Sequence, residues 1–303
     1  MLKLVLIVSS LMGEWIVSSV VLNNLTFEAK SGAELEEVSL GLMAPQMVAL
    51  CSNSEAPVQA LEQLLMNQGK VIEGSVQING GDLGQLRHHP EQAVASFSRL
   101  ALKGKTVERA IHHASRHLKD ALTVEQTLPM LAPLGIKHDD KVAGLTAAQQ
   151  VELRIVILLA LRRSVVFLGD ALDQLTAAAR QTIGNLVADY AHKTNSVVLF
   201  SSSDVSTMMR FAKTIYYFSG SRLTSARDIT ANDGVDCTVT VTGTGLPIDV
   251  AMKMGAHMLG EAANQTRFLY TGNIQALLPL LEQSTITDVR IEDATVDDEL
   301  MAY

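Results

Sequence analysis

The stretch "MVALCSNSEAPVQALEQLL", Met47 to Leu65, decides the fold. Met47–Leu50 is a short apolar run, the composition of a buried strand. Ser52, Asn53 and Ser54 are turn and cap residues. Leu61, Leu64 and Leu65 then recur at helical spacing, so a helix over Pro57–Met66 is expected. A strand passing through a short loop into a helix is the scaffold of a phosphate-binding loop. This loop carries no glycine and no lysine.

Outward from that stretch the chain alternates strands and helices. Val20–Phe27 and Leu35–Leu42 read as two strands joined by the polar "EAKSGAE", a hairpin. "GSVQINGGDL" reads as a strand and turn ending in Gly80-Gly81. Residues from about Ser98 to Leu145 read as mostly helical, with "TVERAIHHASRHL" the clearest case. "LTAAQQVELRIVILLALRR" is a helix with a broad apolar stripe. "SVVFLGD" and "SVVLFSSSD" have the composition of fully buried strands. Between them "AARQTIGNLVADYAH" places Ile183, Leu186, Val187 and Tyr190 on one helical face. "TIYYFSGSRL" is a strand turning at Gly220. A polar segment at 224–235 suggests a boundary, placed at 231/232. The remainder reads as strand (Cys237–Val241), helix (Ile248–Leu259), strand (Phe268–Tyr270), helix (Ile274–Leu281) and strand (Thr287–Ile291). It forms a small α/β unit over 232–303.

Bulk properties narrow the function. The 303 residues are 48% hydrophobic and 18% charged, with a net charge of −8. Phosphate-backbone binding needs a basic surface, so nucleic acid is not expected as the ligand. Two cysteines, Cys51 and Cys237, make no disulfide framework and fit a reducing compartment. The start, "MLKLVLIVSSLMGEW", is too short an apolar run to span a bilayer. It reads as a buried strand, Leu2–Val8, followed by another at Ile16–Leu22; a targeting segment is the alternative.

The ordered pieces resemble the ATP-binding subunit of ABC transporters. They are "VVLNNLTF", "LEEVSLGLMAPQMVAL", "IEGSVQINGGDL", "TVERAI", "VAGLTAAQQVELRIVILLAL", "SVVFLGDALDQLTAAAR", "SVVLFSSSD" and "TIYYFSGSRL", and they cover residues 20 to 223. The tail resembles the C-terminal extension of the drug- and antibiotic-export branch. The implied fold is α/β: an ABC-type nucleotide-binding fold with a P-loop NTPase-like core, an antiparallel β-subdomain and a helical subdomain at 98–145, all within residues 1–231.

The family's chemical residues do not carry over. Its Gly-x-x-Gly-x-Gly-Lys-Ser/Thr loop falls without gaps on Ser52, Glu55, Pro57, Val58 and Gln59. Proline lacks a backbone donor, valine lacks the cation, and glutamate adds a negative charge where a polyanion would sit. The loop then reads as a helix start, capped by Ser54 or Asn53. The family's Asp-Glu pair, for metal and for water, falls on Gly169 and Asp170; in another register Asp170 is the metal carboxylate and Ala171 replaces the glutamate. The next family aspartate matches Thr176, with Asp173 nearby. The switch histidine matches Ser203, and the metal-sensing glutamine Ser98, or Arg99. The adenine-stacking aromatic matches Ala29, with Phe27 as substitute. The Leu-Ser-Gly-Gly-Gln signature matches Leu145, Thr146, Ala147, Ala148 and Gln149. It reads as a capping box of Thr146 with Gln149, with a trans-acting role towards a partner's ATP as the alternative.

The expectation is a catalytically degenerate ATPase-like subunit of an export-type transporter, with no catalytic residues, no metal site and no ATP or magnesium cofactor. It would pair with an active ATPase subunit and a transmembrane permease, peripheral on the inner membrane face. A soluble scaffold with this fold, or an ATPase with displaced residues, are the alternatives. His113 and His117, at i, i+4 on a helix beside His112, are set aside as a metal site for want of a supporting carboxylate or cysteine. His88-His89 reads as an exposed turn, and Ser201–Ser203 lack the glycines of a nucleophile elbow. Asp297–Glu299 read as a helix N-terminus.

Overall fold

The computed structural model describes residues 19–83, 93–230, 234–282 and 285–303. The proposed strand Leu2–Val8, residues 16–18 of the next, the His88-His89 turn and the 231/232 boundary lie outside these.

Among the described residues three sheets are formed. β1 (Ser19–Ala29), β2 (Glu34–Met43), β4 (Gly69–Ile78) and the short β5 (Gly81–Asp82) form an antiparallel sheet in the order β2-β1-β4-β5. Leu35 of β2 is buried, and beyond a register irregularity at Glu37 the residues Val38, Leu40 and Leu42 alternate inward. That alternation pins the register, because a one-residue slip would turn them all to solvent.

The central sheet runs β10-β9-β3-β8-β7-β6. Its strands are β3 (Gln46–Ser52), β6 (Val94–Ser96), β7 (Val165–Gly169), β8 (Val197–Ser201), β9 (Thr214–Ser219) and β10 (Arg222–Asp228). All neighbours pair in parallel except the β9–β10 hairpin. β7 and β8 are buried along their apolar length, as strands covered on both faces must be. One face meets α1 (Ala56–Leu65) and the antiparallel sheet in a shared core. The other meets α4 (Ala147–Ala160), α5 (Ala177–Thr194) and α6 (Val205–Phe211). α6 was not anticipated; it follows Asp204, whose side chain caps it by accepting from the Ser206 amide.

The region 98–145 is less helical than expected. It holds α2 (Val107–Ser115), α3 (Val124–Leu131) and two 3₁₀ turns, connected by loops. Thr106 and Thr123 cap the two helices, and Gly135, at φ 68°, ends the second segment.

The tail corrects one expectation. A helix over Ile248–Leu259 is not formed: α7 (Ile248–Lys253) stops before Gly255, which takes φ 102°, and β12 (Ala256–Ala262) follows. β12 joins β13 (Gln265–Tyr270), β11 (Cys237–Thr244) and β14 (Thr285–Asp293) in an antiparallel sheet ordered β12-β13-β11-β14. α8 (Ile274–Glu282) covers one face through Leu277. The last helix, α9 (Val296–Ala302), packs between the two sheets, on β12 and β13 of this unit and on β3 and β9 of the central sheet.

Candidate functional site

Parallel strands β3, β7 and β8 deliver their C-terminal ends to one edge, where α/β sheets bind ligands. A cavity of about 800 Å³ opens there. It brings together Ser52, Glu55, Val58, Gln59, Ser98, Gly169, Asp170 and Ser203, the positions singled out in the sequence. Thr176 and the Thr146–Gln149 loop do not line it.

The loop from β3 into α1 is a compact helix start. Ser52 Oγ accepts from the Ser54 amide at 3.2 Å. Glu55, not Ser54 or Asn53, is the N-cap residue; its backbone is already helical and its side chain accepts from no cap amide. Instead the Gln59 side chain donates to Glu55 Oε2 at 2.8 Å. Pro57 occupies the first turn, where its missing donor costs nothing to the helix. No residue from Ser52 to Gln59 has a positive φ, so the backbone wraps no anion nest.

The other polar groups are spent on one another. Asp173 accepts from Ser202 Oγ, from the Ser203 amide at 2.7 Å and from Ser203 Oγ at 2.9 Å. The Ser202 and Ser203 hydroxyls thus donate to a carboxylate, and no histidine stands beside them among the described lining residues. Ser98 and Ser96 both donate to Glu62 on α1. Glu62 and Asp173 escaped the sequence reading as network centres, because their serine partners are 34 to 36 and 29 to 30 positions distant. Gly169 takes φ 57° at an irregularity in the β7–β8 pairing, and Asp170 follows it, accepting from the Gln174 side chain at 3.2 Å.

Outlying positions are settled by packing. Thr176 caps α5, accepting from the Ala179 amide. Thr146 and Gln149 form the capping box, with both reciprocal bonds present. Phe27 cannot substitute as a stacking ring, since it is buried in the sheet core, and Ala29 is buried beside it. Among the described residues no group of three or more metal-ligating side chains converges, His112, His113 and His117 included.

Volume and charge give different answers for a nucleotide. The cavity is of ligand size. Among the described residues its lining includes the carboxylates of Glu55, Glu62, Asp170, Asp173 and Asp297, and no lysine, arginine or histidine. A triphosphate would meet like charge on every side, so these side chains alone do not fit one.

The fold is that of the nucleotide-binding subunits of ABC transporters. No family model matches the chain. It is similar to the energy-coupling factor transporter ATP-binding protein EcfA1 of Staphylococcus aureus: 25% identity over 276 residues in strains MRSA252 and N315, covering 86% of this chain and 98% of each relative. Among solved structures it superposes on a bacterial Atm1-family ABC exporter with ATP bound, with a TM-score of 0.59 and 18% identity over 70% of this chain; the match spans only 39% of the exporter. It superposes equally on cbiO1 from Clostridium perfringens, part of the ABC transporter complex cbiONQ, with a TM-score of 0.59 and 12% identity over 69% of this chain and 88% of that one. The resemblance read from the ordered motifs therefore holds, and the chain's relatives are ATP-binding subunits of ABC transporters.

These relatives overturn the expectation of no ATP or magnesium cofactor. The substitutions remove charge neutralisation and leave the space: the cavity persists at the strand ends.

Proposed function

We propose that the chain is a subunit of a membrane transporter complex that takes nucleotide in the cavity between β3 and α1 but does not hydrolyse it with its own side chains. The observation that carries this reading is the internal pairing of the cavity's polar groups: Asp173 with Ser202 and Ser203, Glu62 with Ser96 and Ser98. Groups held by each other are not free to orient water or metal. Where the resembling family places a lysine, a metal aspartate and a histidine, the cavity has Val58, Gly169 and Ser203. Asp170 alone keeps a carboxylate near the position of the family's glutamate. The cations needed to hold a triphosphate would come from magnesium and from an active ATPase subunit closing over the cavity.

A second, apolar cavity of about 270 Å³ supports a permease partner. Ala114 at the end of α2, with His117 and Leu118 just beyond it, lines it with Leu158 and Leu161 of the α4 end and with Val94–Ser96 of the sheet edge. No large apolar side chain between 98 and 145 is exposed outright, so the docking surface is this groove rather than an open patch. Among the described residues no helix is long and apolar enough to cross a membrane; attachment to one would run through the permease. The tail carries no direction of transport into this reading, since the similar proteins include both energy-coupling factor subunits and an exporter.

The test is phosphate release from magnesium-ATP by the purified chain, alone and with its co-purified complex. Release at the no-protein background is expected for the chain alone. Turnover by the chain alone that disappears in Asp170→Asn would overturn the reading in favour of an ATPase with displaced residues. Recovery without any membrane protein would favour the soluble scaffold.

A further inference from the structure

The chain's net charge of −8 conceals a local excess of cations. Between residues 99 and 119 stand Arg99, Lys103, Lys105, Arg109, Arg116 and Lys119, six of its 24 Lys and Arg, against Glu108 as the single acidic residue. The fold gathers them on and around α2. The inner face of that helix, Val107, Ala110 and Ile111, is buried in the core. Arg109, His112, His113 and Arg116 follow at i, i+3, i+4 and i+7, so they share the opposite face. Lys103 and Lys105 are pinned beside it. Gly104 between them takes φ 146° and lies so close to α2 that a Cβ there would meet the Ala110 nitrogen at 2.7 Å. Burial, and after it the charges of Arg116, Lys103, His117 and His112, hold the His113 imidazole below its ordinary range, which places these side chains together. Among the described residues no carboxylate forms an ion pair with Lys103, Lys105, Arg109, Arg116 or Lys119, whereas Arg180, Arg222, Arg227 and Arg267 each have one.

We propose that this face of α2 is a contact for the anionic headgroups of a membrane leaflet, made beside the permease rather than through it. Charge complementarity carries the assignment. Guanidinium and ammonium groups on an exposed helix face, with no ion pair to satisfy them, attract a negatively charged surface within a Debye length, about 8 Å at physiological salt; acidic regions farther away on the chain are screened from that contact. The patch is also continuous with the apolar groove, since Arg99 and His117 line that groove alongside Ala114 and Leu118. Basic side chains bordering apolar ones are the makeup of elements that lie on lipid. The choice of a membrane over an acidic protein segment rests on the reading of the chain as a transporter subunit, because a permease seated in the groove brings the neighbouring face towards the leaflet.

The test is co-sedimentation of the purified full chain with vesicles, either of phosphatidylcholine alone or of phosphatidylcholine and phosphatidylglycerol in equal parts. Expected is binding to the mixed vesicles only, weakening as salt is raised. Lys103→Gln combined with Arg116→Gln should weaken it at least about tenfold. Lys103→Arg combined with Arg116→Lys, which keeps both charges, should bind as the wild type does. So should Lys213→Gln combined with Lys253→Gln, which removes two exposed charges elsewhere. Equal binding to both kinds of vesicle, or undiminished binding after Lys103→Gln with Arg116→Gln, overturns the lipid contact. If the wild type ignores the mixed vesicles, yet a membrane protein co-purifies with it and is lost on Lys103→Gln with Arg116→Gln, the face serves an acidic protein segment; the lipid contact is overturned and the transporter subunit stands. If neither vesicles nor a membrane protein are bound, both readings fall together.

Discussion

Val58 is half-buried and packs against the cluster that includes Leu61 and Leu64, so it serves the core as well as lining the cavity. Restoring lysine there supplies one cation and nothing else. Pro57 still withholds a donor, Glu55 still faces the phosphate position, and Gly169 still offers no metal ligand. Groups that act as a unit are not recovered singly; Val58→Lys should leave phosphate release at background, and turnover above it would show that Asp170 works without a carboxylate at 169. Thr146 poses a different question. Its hydroxyl accepts from the Gln149 amide, so Thr146→Ala should cost about 1 kcal/mol in urea unfolding. If Thr146 only caps, the hydrolysis rate per assembled complex with an active partner stays unchanged. A lowered rate at undiminished assembly would assign the hydroxyl to the partner's ATP.

At the level of elements, α9 is fastened by a carboxyl in an unusual setting. Glu299 is fully buried, and one of its oxygens, Oε1, has no hydrogen-bond partner. Tyr217 of β9, Arg227 of β10, Asp236 before β11 and Cys51 of β3 face it. Burial, reinforced by the Asp236 carboxylate, pushes Glu299 up to about 8 from the ordinary 4.5. The packed state therefore favours the protonated acid. Its contribution is complete below about pH 4.5 and is lost as pH rises towards 8. α9 amides should exchange faster relative to their intrinsic rates at pH 8 than at pH 6. Glu299→Gln, which mimics the neutral acid, should flatten that dependence. A wild-type profile with no slope would mean that Glu299 is ionised throughout.

For the whole molecule, the prediction concerns the apolar groove between the helical region and the sheet edge. Leu118 is half-buried on its wall. Leu118→Asp places a charge where a partner would have to desolvate it. Membrane recruitment in cells should fall at least about tenfold, while Val58→Ala, remote from the groove, should leave it intact. Equal recruitment of both would remove the groove from the permease interface.

Much of this architecture was legible in the linear pattern. Buried parallel strands must be apolar along their length, and "SVVFLGD" and "SVVLFSSSD" say so locally. The Thr146–Gln149 capping box acts over three residues and was read from spacing, whereas the cap expected at Ser54 or Asn53 falls on Glu55. The cavity's position followed from the strand–loop–helix at Met47–Leu65. Other features depended on distance in space. The stop of α7 and the start of β12 were hidden because a strand's pairing partner, here β13, competes with local helical preference. Phe27 looked available to stack on a ligand until the two sheets closed over it. The Asp173–Ser203 and Glu62–Ser98 pairs, and the return of α9 to the β3 edge, join residues from about 30 to nearly 250 positions apart. The amino-acid order determined which segments are strands and helices, because hydrophobic period and capping are local. Only the tertiary structure decided which hydroxyls bond to which carboxylates and which distant segments wall the cavity, because those energies depend on separation in space and on burial.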